Sequence, residues 1–390
     1  MTAIVNAKIL TPYRIVEGCL VMEDGKIKAI TQEAPAGAEI IDAQGCYVSP
    51  GFIDLHTHGG GGHDYMDGTV EAFEGAAKAH LEHGTTALLP TTLTCSDEEL
   101  FNAFEVFETV KNSGFEGPEL LGLHLEGPYF SESQKGAQDP RYLKNPDSEH
   151  YLRIFDACPH IRRMTVAPEL PGAMELGAEL KRRGILASIG HTDADYEDVL
   201  IAREHGYDFL THFYSGMSTL RRVNAYRHLG VIETGYLLDD MSIEIIADGK
   251  HLPPELLRLI VKSKSWDRIC LITDSMRGAG MPEGSHPKLG SLKDGQETVI
   301  SDGVAFLLDK SAFAGSVCTA DRCIRTMVQL AGVPLTDAVR MMTVNPARAI
   351  GVDDRKGVLR AGMDADVCIF DENIQIKAVF VAGQKLVDHL

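Results

Sequence analysis

Six short apolar segments of the chain end in a histidine or a carboxylate side chain. These ends are His56-Thr57-His58, His124-Leu125-Glu126, Gly190-His191-Thr192, Thr211-His212, Ala247-Asp248 and Thr273-Asp274. If the segments are parallel strands of one barrel, their carboxyl ends share one rim, which is where barrel enzymes carry their sites. The pattern therefore predicts a cluster of imidazole and carboxylate groups at that rim.

Such a cluster is typical of a metal site, because imidazole and carboxylate groups together bind Zn²⁺ and similar divalent ions. A bound ion lowers the pKa of its water to about 7 and makes hydroxide available. A nearby carboxylate can then act as a general base. A single histidine at a strand end is more often a structural residue, and the spacing of His56 and His58 is weak by itself. The joint occurrence on six segment ends is the stronger signal.

The elements that must position these residues alternate between apolar runs and helical patterns. The predicted strands cover residues 51–56, 85–93, 120–125, 163–167, 186–191, 209–212, 243–248 and 269–274. The predicted helices include Val70–His83, Glu98–Lys111, Ala173–Arg183 and Pro254–Lys264. Eight alternations favour an α/β fold of the (β/α)₈ TIM barrel type, with a doubly wound open sheet as the alternative.

Both ends of the chain are rich in short strand-like runs. Glu23-Asp24-Gly25-Lys26 separates two apolar runs and is typical of a hairpin turn, and Ala365–Phe370 and Ala378–Val381 read as strands. The two ends of a closed barrel lie close together, so we expect one small β-sandwich domain built from both termini. The expected division is 1–50 and 349–390 for that domain, with 51–348 for the barrel.

The composition limits the classes of function. Among 390 residues, 44% are apolar and 24% are charged, which is enough for a large core. The 37 basic and 56 acidic residues give a formal charge of −19, which opposes binding to nucleic acid or an anionic membrane but allows a small anionic substrate. The eight scattered cysteines predict reduced thiols, and the lack of a signal-like or membrane-spanning segment predicts a cytoplasmic protein.

Several motifs resemble those of a known family. The run Pro50-Gly51-Phe52-Ile53-Asp54-Leu55-His56-Thr57-His58 is similar to the first-strand signature of the amidohydrolase superfamily. More narrowly, the N-acetylglucosamine-6-phosphate deacetylase family is resembled by His124-Leu125-Glu126-Gly127-Pro128-Tyr129-Phe130, Lys135-Gly136-Ala137, Gly190-His191-Thr192, Thr211-His212-Phe213, Ala247-Asp248-Gly249-Lys250-His251, Ile272-Thr273-Asp274 and Phe313-Ala314-Gly315-Ser316. The resemblance extends over nearly the whole chain. It implies a metal-dependent barrel enzyme that hydrolyses the acetamide of N-acetylglucosamine 6-phosphate.

The resemblance also implies the metal ligands and the catalytic group. The implied ligands are Glu126, His191 and His212 for a principal ion, and His56 and His58 for a second ion. Zn²⁺ is the expected ion, one or two per subunit, with Fe²⁺ as an alternative. Asp274 would take a proton from the attacking water and later protonate the leaving amine.

The substrate contacts implied by the family lie on loops beyond the strands. In an implied homodimer, Arg227 and His251 would help to hold the sugar phosphate, one of them reaching across from the neighbouring subunit. Ser215 and Gly216, which follow His212, would also contact the sugar. The arginine-rich stretch 221–227 supports an anionic substrate, although a solvated loop would have the same composition.

The chain departs from the family pattern at these substrate contacts. Gln138 stands where the family usually has the histidine implied to polarise the acetyl carbonyl, and glutamine can donate a hydrogen bond but cannot titrate. Ser215-Gly216 replaces the usual Asn-Ala. Three alternatives therefore stay open: an N-acetylgalactosamine-6-phosphate deacetylase, an amidohydrolase acting on another N-acyl or cyclic amide, and a non-catalytic barrel.

Overall fold

The centre of the molecule is a barrel of eight parallel strands in a computed structural model that describes all 390 residues. The barrel strands are Phe52–Thr57, Thr85–Thr92, Leu123–Glu126, Ile161–Val166, Leu186–Ile189, Tyr207–Leu210, Ser242–Ile246 and Ile269–Ile272. Each strand pairs in parallel with the next, and Glu119–Leu120 adds a short strand beside the second. All eight predicted strands are present, which confirms the α/β barrel.

Hydrogen bonds between the first and the last strand close the barrel. The Asp274 N–H donates to the His56 carbonyl at 2.9 Å, and the His58 N–H donates to the Ser275 carbonyl at 2.8 Å. The alternative of an open doubly wound sheet is therefore wrong. The closing bonds join the same strand ends that carry the candidate site residues.

Helices cover the outside of the barrel. The α-helices are Val70–Leu81, Asp97–Asn112, Ser148–Ala157, Ala173–Arg183, Tyr196–Glu204, Val231–Leu237, Pro254–Ser263, Ala320–Thr326, Leu335–Met341 and Val344–Ala349. Shorter turns are the 3₁₀ helices Tyr65–Asp67, Glu132–Gln134, Pro140–Tyr142 and Trp266–Arg268 and the π-helical Met327–Ala331. The barrel strands are covered on both faces, and in Thr85–Thr92 every residue is buried. Burial on both faces explains why the strands contain few charged residues. No helix combines the length and the hydrophobicity that a membrane crossing requires.

A second sheet is built from both termini. Its strands are Thr2–Leu10, Ile15–Glu23, Lys26–Thr31, Glu39–Asp42 and Tyr47–Pro50 from the N-terminal end and Val367–Phe370, Ile376–Val381 and Gln384–Asp388 from the C-terminal end. Tyr47–Pro50 pairs antiparallel with Val367–Phe370, which joins the two termini. The strands belong to one sheet that branches at Thr2–Leu10, and a cluster of 15 buried residues is its own core. The expected β domain built from both termini is confirmed, and it takes the form of this one sheet. The domain boundaries at residues 50 and 348 stay a prediction.

Three small antiparallel elements project from the loops that follow the barrel strands. They are Gly59–Gly60 with His63–Asp64, Arg221–Val223 with Tyr226–His228, and a three-stranded piece formed by Lys288–Leu289, Gln296–Ser301 and Val304–Leu307. Loops at this end of a barrel carry its binding site. These elements therefore supply the surroundings of the candidate site.

Candidate active site

Four histidines and two acidic side chains converge where the barrel strands end. His56 and His58 come from the end of the first strand and Glu126 from the third, while His191, His212 and Asp274 follow the fifth, sixth and eighth strands. All six are buried, with at most 7% of any residue exposed. The structure therefore brings the six predicted metal and catalytic residues to one place.

The backbone turns sharply at three of these positions. His191, His212 and Asp274 have φ values of 48°, 27° and 46°, in the left-handed region that residues other than glycine rarely adopt. Each such residue costs on the order of 1–3 kcal/mol and persists only where the surroundings enforce it. Strain concentrated at the strand ends is typical of a functional site.

Each of the four histidines has an oxygen acceptor at Nδ1. His56 Nδ1 donates to Glu244 Oε1 at 2.8 Å and His58 Nδ1 to the Thr91 carbonyl at 3.2 Å. His191 and His212 donate to the backbone carbonyls of Gln134 and Ser215, at 2.8 and 3.1 Å. These acceptors hold the proton on Nδ1, so each Nε2 keeps its lone pair free for a ligand.

The free nitrogens face one another in two pairs around Glu126. The Nε2 atoms of His191 and His212 are 3.1 Å apart, and those of His56 and His58 are 3.3 Å apart. Glu126 Oε1 lies 2.9 Å from His212 Nε2 and 3.2 Å from His191 Nε2, while Oε2 lies 3.2 Å from His58 Nε2. Lone pairs at such distances repel unless a cation lies among them.

The donor set fits divalent metal ions. Two ligand nitrogens about 2.0–2.1 Å from one tetrahedral ion are about 3.3 Å apart, close to both observed spacings. In two triads the ligand atoms lie close enough together to bind one ion, Glu126-His191-His212 and His56-His58-Glu126. The two triads share the Glu126 carboxylate. The residues could therefore hold one ion in each triad, with Glu126 contributing to both.

The charge of the site also favours a cation. Burial disfavours a charged imidazole at His56, but Asp274, Glu126 and Glu244 together raise the pKa of His56 to about 9. The carboxylates thus impose a strongly negative potential on the histidine nitrogens. A divalent ion would meet that demand for positive charge without protonating its ligands.

Asp274 lies on the His56–His58 side of the cluster. Its Oδ1 is 3.2 Å from His58 Nε2 and 3.5 Å from His56 Nε2. Burial raises the pKa of Asp274, but His56 and His58 outweigh it and hold that pKa below the ordinary value. An ionised carboxylate here can accept a proton from a water in the cavity, as a general base requires.

Gln138 is fixed at both ends of its amide. Its Oε1 accepts from the Thr94 N–H at 2.9 Å, and its Nε2 donates to Glu126 Oε2 at 2.7 Å. The loop that carries it is tied to the fifth strand, where the Ser131 N–H donates to the His191 carbonyl at 2.9 Å. One N–H of the Gln138 amide remains free to donate, because a primary amide nitrogen carries two.

A cavity of about 240 Å³ opens in front of the cluster. Its other walls include Ser215, Gly216, His251 and Phe313. His251 Nδ1 donates to Asp248 Oδ2 at 2.7 Å, and its ring lies 4.5 Å from the ring of Phe313. No lysine or arginine lines the cavity. It therefore suits a small molecule that reaches the histidine–carboxylate cluster.

The sequence also matches a known family: residues 47–386 match the family model described as the amidohydrolase family. The chain belongs to the amidohydrolase family. It is 34% identical over 388 residues to the N-acetylglucosamine-6-phosphate deacetylase of Haemophilus influenzae, covering 98% of each chain. It is 32% identical over 362 residues to the N-acetylgalactosamine-6-phosphate deacetylase of Escherichia coli O157:H7, covering 93% of this chain and 92% of that one.

A solved structure shows the same fold over the whole chain of this amidohydrolase. The N-acetylglucosamine-6-phosphate deacetylase of Pasteurella multocida superposes with a TM-score of 0.91 at 30% identity, covering 99% of this chain and 100% of that one. The chain is therefore a metal-dependent hydrolase of carbon–nitrogen bonds, and the alternative of a non-catalytic barrel is set aside.

One predicted substrate residue lies away from the cavity of this amidohydrolase. Gln138, Ser215, Gly216 and His251 line the cavity. Arg227 instead lies in the exposed hairpin Arg221–His228, where its guanidinium donates to the Ala225 carbonyl at 2.9 Å. Within one subunit, Arg227 is therefore not part of the pocket.

The sequence analysis did not identify two residues that support the site. Glu244 and Arg163 are fully buried beneath it and form an ion pair, and Glu244 holds His56. A signal for Glu244 existed, because a single carboxylate interrupts the apolar run Ser242–Ile246 of the seventh strand. Unpaired charge is too costly in a buried strand, so such a residue predicts a buried partner.

Proposed function

We propose that this amidohydrolase hydrolyses N-acetylglucosamine 6-phosphate to glucosamine 6-phosphate and acetate. The observation that carries the proposal is the Glu126 carboxylate shared by two pairs of histidines, with Asp274 beside one pair and the cavity in front. The Haemophilus influenzae and Pasteurella multocida relatives, matched over nearly their whole length, carry that name and supply the substrate class.

The metal ligands follow from the donor set. Glu126, His191 and His212 would hold a principal ion, and His56 and His58 with Glu126 a second, with Zn²⁺ preferred and Fe²⁺ as the alternative. When bound, such an ion polarises the acetyl carbonyl and makes hydroxide available near neutral pH.

The remaining chemistry belongs to side chains of this chain. Asp274 takes a proton from the attacking water and passes it to the sugar nitrogen as the C–N bond breaks and acetate leaves. The free N–H of Gln138 donates to the acetyl oxygen as negative charge develops there, in place of the histidine usual in the family. Its other N–H keeps Glu126 in position, at 2.7 Å.

The phosphate needs a cationic partner, and no lysine or arginine of the same subunit lines the cavity. His251 is the single candidate among its walls that is not already at the metal cluster. The exposed hairpin carries Arg221, Arg222 and Arg227 on a chain of net charge −19, and Tyr226 on it is 75% exposed. We propose a homodimer in which Arg227 of one subunit reaches the phosphate in the other.

A mixed dimer tests the cross-subunit role of Arg227. Homodimers of Arg227→Ala would bind the phosphorylated sugar poorly, and those of Asp274→Asn would be inactive. Co-expressed as a heterodimer, the two variants restore one complete site if Arg227 acts across the interface, so activity recovers to roughly half that of the native dimer. No recovery in a verified heterodimer, or a monomer in light scattering, would overturn the proposal.

The substrate is tested by acetate release from metal-loaded protein. The substrates are N-acetylglucosamine 6-phosphate, its galactosamine epimer and unphosphorylated N-acetylglucosamine. Selective turnover of the glucosamine phosphate supports the proposal. Preference for the epimer would support the second candidate, which Ser215-Gly216 and the Escherichia coli relative favour. No acetate from any of them would leave an amidohydrolase acting on another amide.

A further inference from the structure

A buried ion pair lies directly beneath the candidate metal site. Arg163, on the fourth barrel strand, and Glu244, on the seventh, are each fully buried, and Arg163 Nη1 donates to Glu244 Oε2. Such pairs add little stability over well-packed apolar residues, because desolvating two charges offsets their attraction. A role other than stability is therefore expected for this pair.

Glu244 connects the pair to two site histidines. Its Oε1 accepts from His56 Nδ1 at 2.8 Å and from the His212 backbone N–H at 3.0 Å. Its other oxygen, Oε2, accepts from the guanidinium of Arg163, which is always charged, so Glu244 faces the site as a carboxylate. As an anion it is an acceptor only, which forces the proton of neutral His56 onto Nδ1.

His56 differs in this respect from the other three histidines of the site. His58, His191 and His212 donate their Nδ1 protons to backbone carbonyls. A backbone carbonyl cannot be removed by substitution and cannot donate. The tautomer of His56 alone depends on a side chain.

Arg163 is anchored from several neighbouring strands, which fixes Glu244 in turn. Its Nε donates to Ser188 Oγ and its Nη2 to Thr211 Oγ1, both at 2.9 Å. Its guanidinium also lies over the Phe209 ring, 4.9 Å from the centroid. Rigid anchoring by several donors is what a planar guanidinium provides and a lysine does not.

We infer that Arg163 and Glu244 are positioning residues that keep His56 Nε2 unprotonated and turned towards Glu126, and that binding of a second ion at His56, His58 and Glu126 depends on them. The inference rests on the two-triad metal site of the proposed function. The principal triad Glu126-His191-His212 does not need Glu244 for its tautomers, so it should keep its ion when Glu244 is changed.

The test counts Zn²⁺ per subunit and measures the affinity of each ion, for the native protein and for two variants. In Glu244→Gln, the charged Arg163 takes the amide oxygen, because hydrogen bonds to charged groups are the stronger ones. The amide N–H₂ then faces His56 Nδ1 and favours a proton on Nε2. In Glu244→Gln with Arg163→Met, the amide is free to turn its oxygen back to His56.

We expect two ions for the native protein and one for Glu244→Gln, or a second ion bound roughly 10–100-fold more weakly. We expect two again for the double variant. Arg163→Met with Glu244→Met removes the acceptor and both charges, and it should again bind one ion; it carries the test if Glu244→Gln does not fold. Circular dichroism and melting curves establish folding. Lys356→Met, which removes the buried cation paired with Asp366 in the terminal sheet, is the matched control and should keep two ions.

The outcomes separate this inference from the proposed function. Two tightly bound ions in folded Glu244→Gln and in the methionine pair would overturn it, as would a native protein that holds only one. Acetate release by the native protein, measured in parallel, reports on the proposed function independently. The count of ions in Glu244→Gln does not depend on which amide is the substrate.

Discussion

Replacing Gln138 by leucine should reduce the turnover rate far more than it reduces stability. Leucine keeps the approximate size but removes the donor 2.7 Å from Glu126 Oε2 and the acceptor of the Thr94 N–H. It also removes the second amide N–H of a residue that lines the cavity. Loss of a donor to a developing negative charge costs on the order of 10²–10³ in kcat, or about 2.7–4 kcal/mol. The hydrogen bond lost from the charged Glu126 is worth about 1.5–3 kcal/mol, and without it Glu126 is held less firmly in position.

The assay is steady-state acetate release, with kcat and KM measured separately in metal-loaded protein. Because the donor acts when charge develops on the carbonyl oxygen, kcat should fall with KM within a few-fold of the native value. Gln138→His restores a side chain that can donate and should recover much of kcat. Gln384→Leu, on the terminal sheet far along the chain, is the glutamine control. A kcat for Gln138→Leu within threefold of native, at equal metal content, would refute the reasoning.

Three further predictions concern the proposed proton carrier, an ion-pair cluster away from the site and a close backbone approach. Asp274→Asn should lower kcat by about 10²–10⁴ without loss of metal, and native turnover would exclude Asp274 as the proton carrier. Burial raises the pKa of Asp364, but Lys26, Lys356 and Arg355 lower it to about 2 from the ordinary 3.8. The stabilising effect of the ionised carboxylate is therefore present above pH 4 and is lost towards pH 2. The difference in Tm between the native and Asp364→Asn proteins should close on acidification, and a constant difference would contradict this. Gly51→Ala should lower the unfolding free energy by about 1–3 kcal/mol, because the new Cβ would lie 2.1 Å from Thr86 Oγ1; adding Thr86→Ala should recover part of the loss seen in thermal melts.

The fold could be predicted from the sequence because each barrel strand has a recognisable local sequence pattern. Eight apolar runs separated by helical patterns already specify a parallel sheet with both faces covered, and their polar ends mark one rim. The strand Thr85–Thr92 illustrates this, since the predicted run 85–93 differs from it by one residue. The sequence did not decide whether the sheet closes into a barrel, because closure depends on hydrogen bonds between distant segments, such as that from the His58 N–H to the Ser275 carbonyl.

The candidate site was predictable in its members but less so in its organisation. Histidine and acidic residues at strand ends identified the cluster, and four of the five expected substrate contacts line the cavity, namely Gln138, Ser215, Gly216 and His251. Arg227 could not be placed, because an exposed hairpin belongs to a pocket only through a neighbouring subunit. Its role stays a prediction.

The sequence by itself determined which groups are available and which rim they occupy. Only the tertiary structure decided how they are protonated and held. His56 owes its Nδ1 proton to Glu244, 188 residues away in the chain, and the two amide ends of Gln138 are taken by Thr94 and Glu126, 44 and 12 residues away. Tautomer and hydrogen-bond direction depend on the nearest partner in space, and the closed barrel brings together strands that are far apart in sequence.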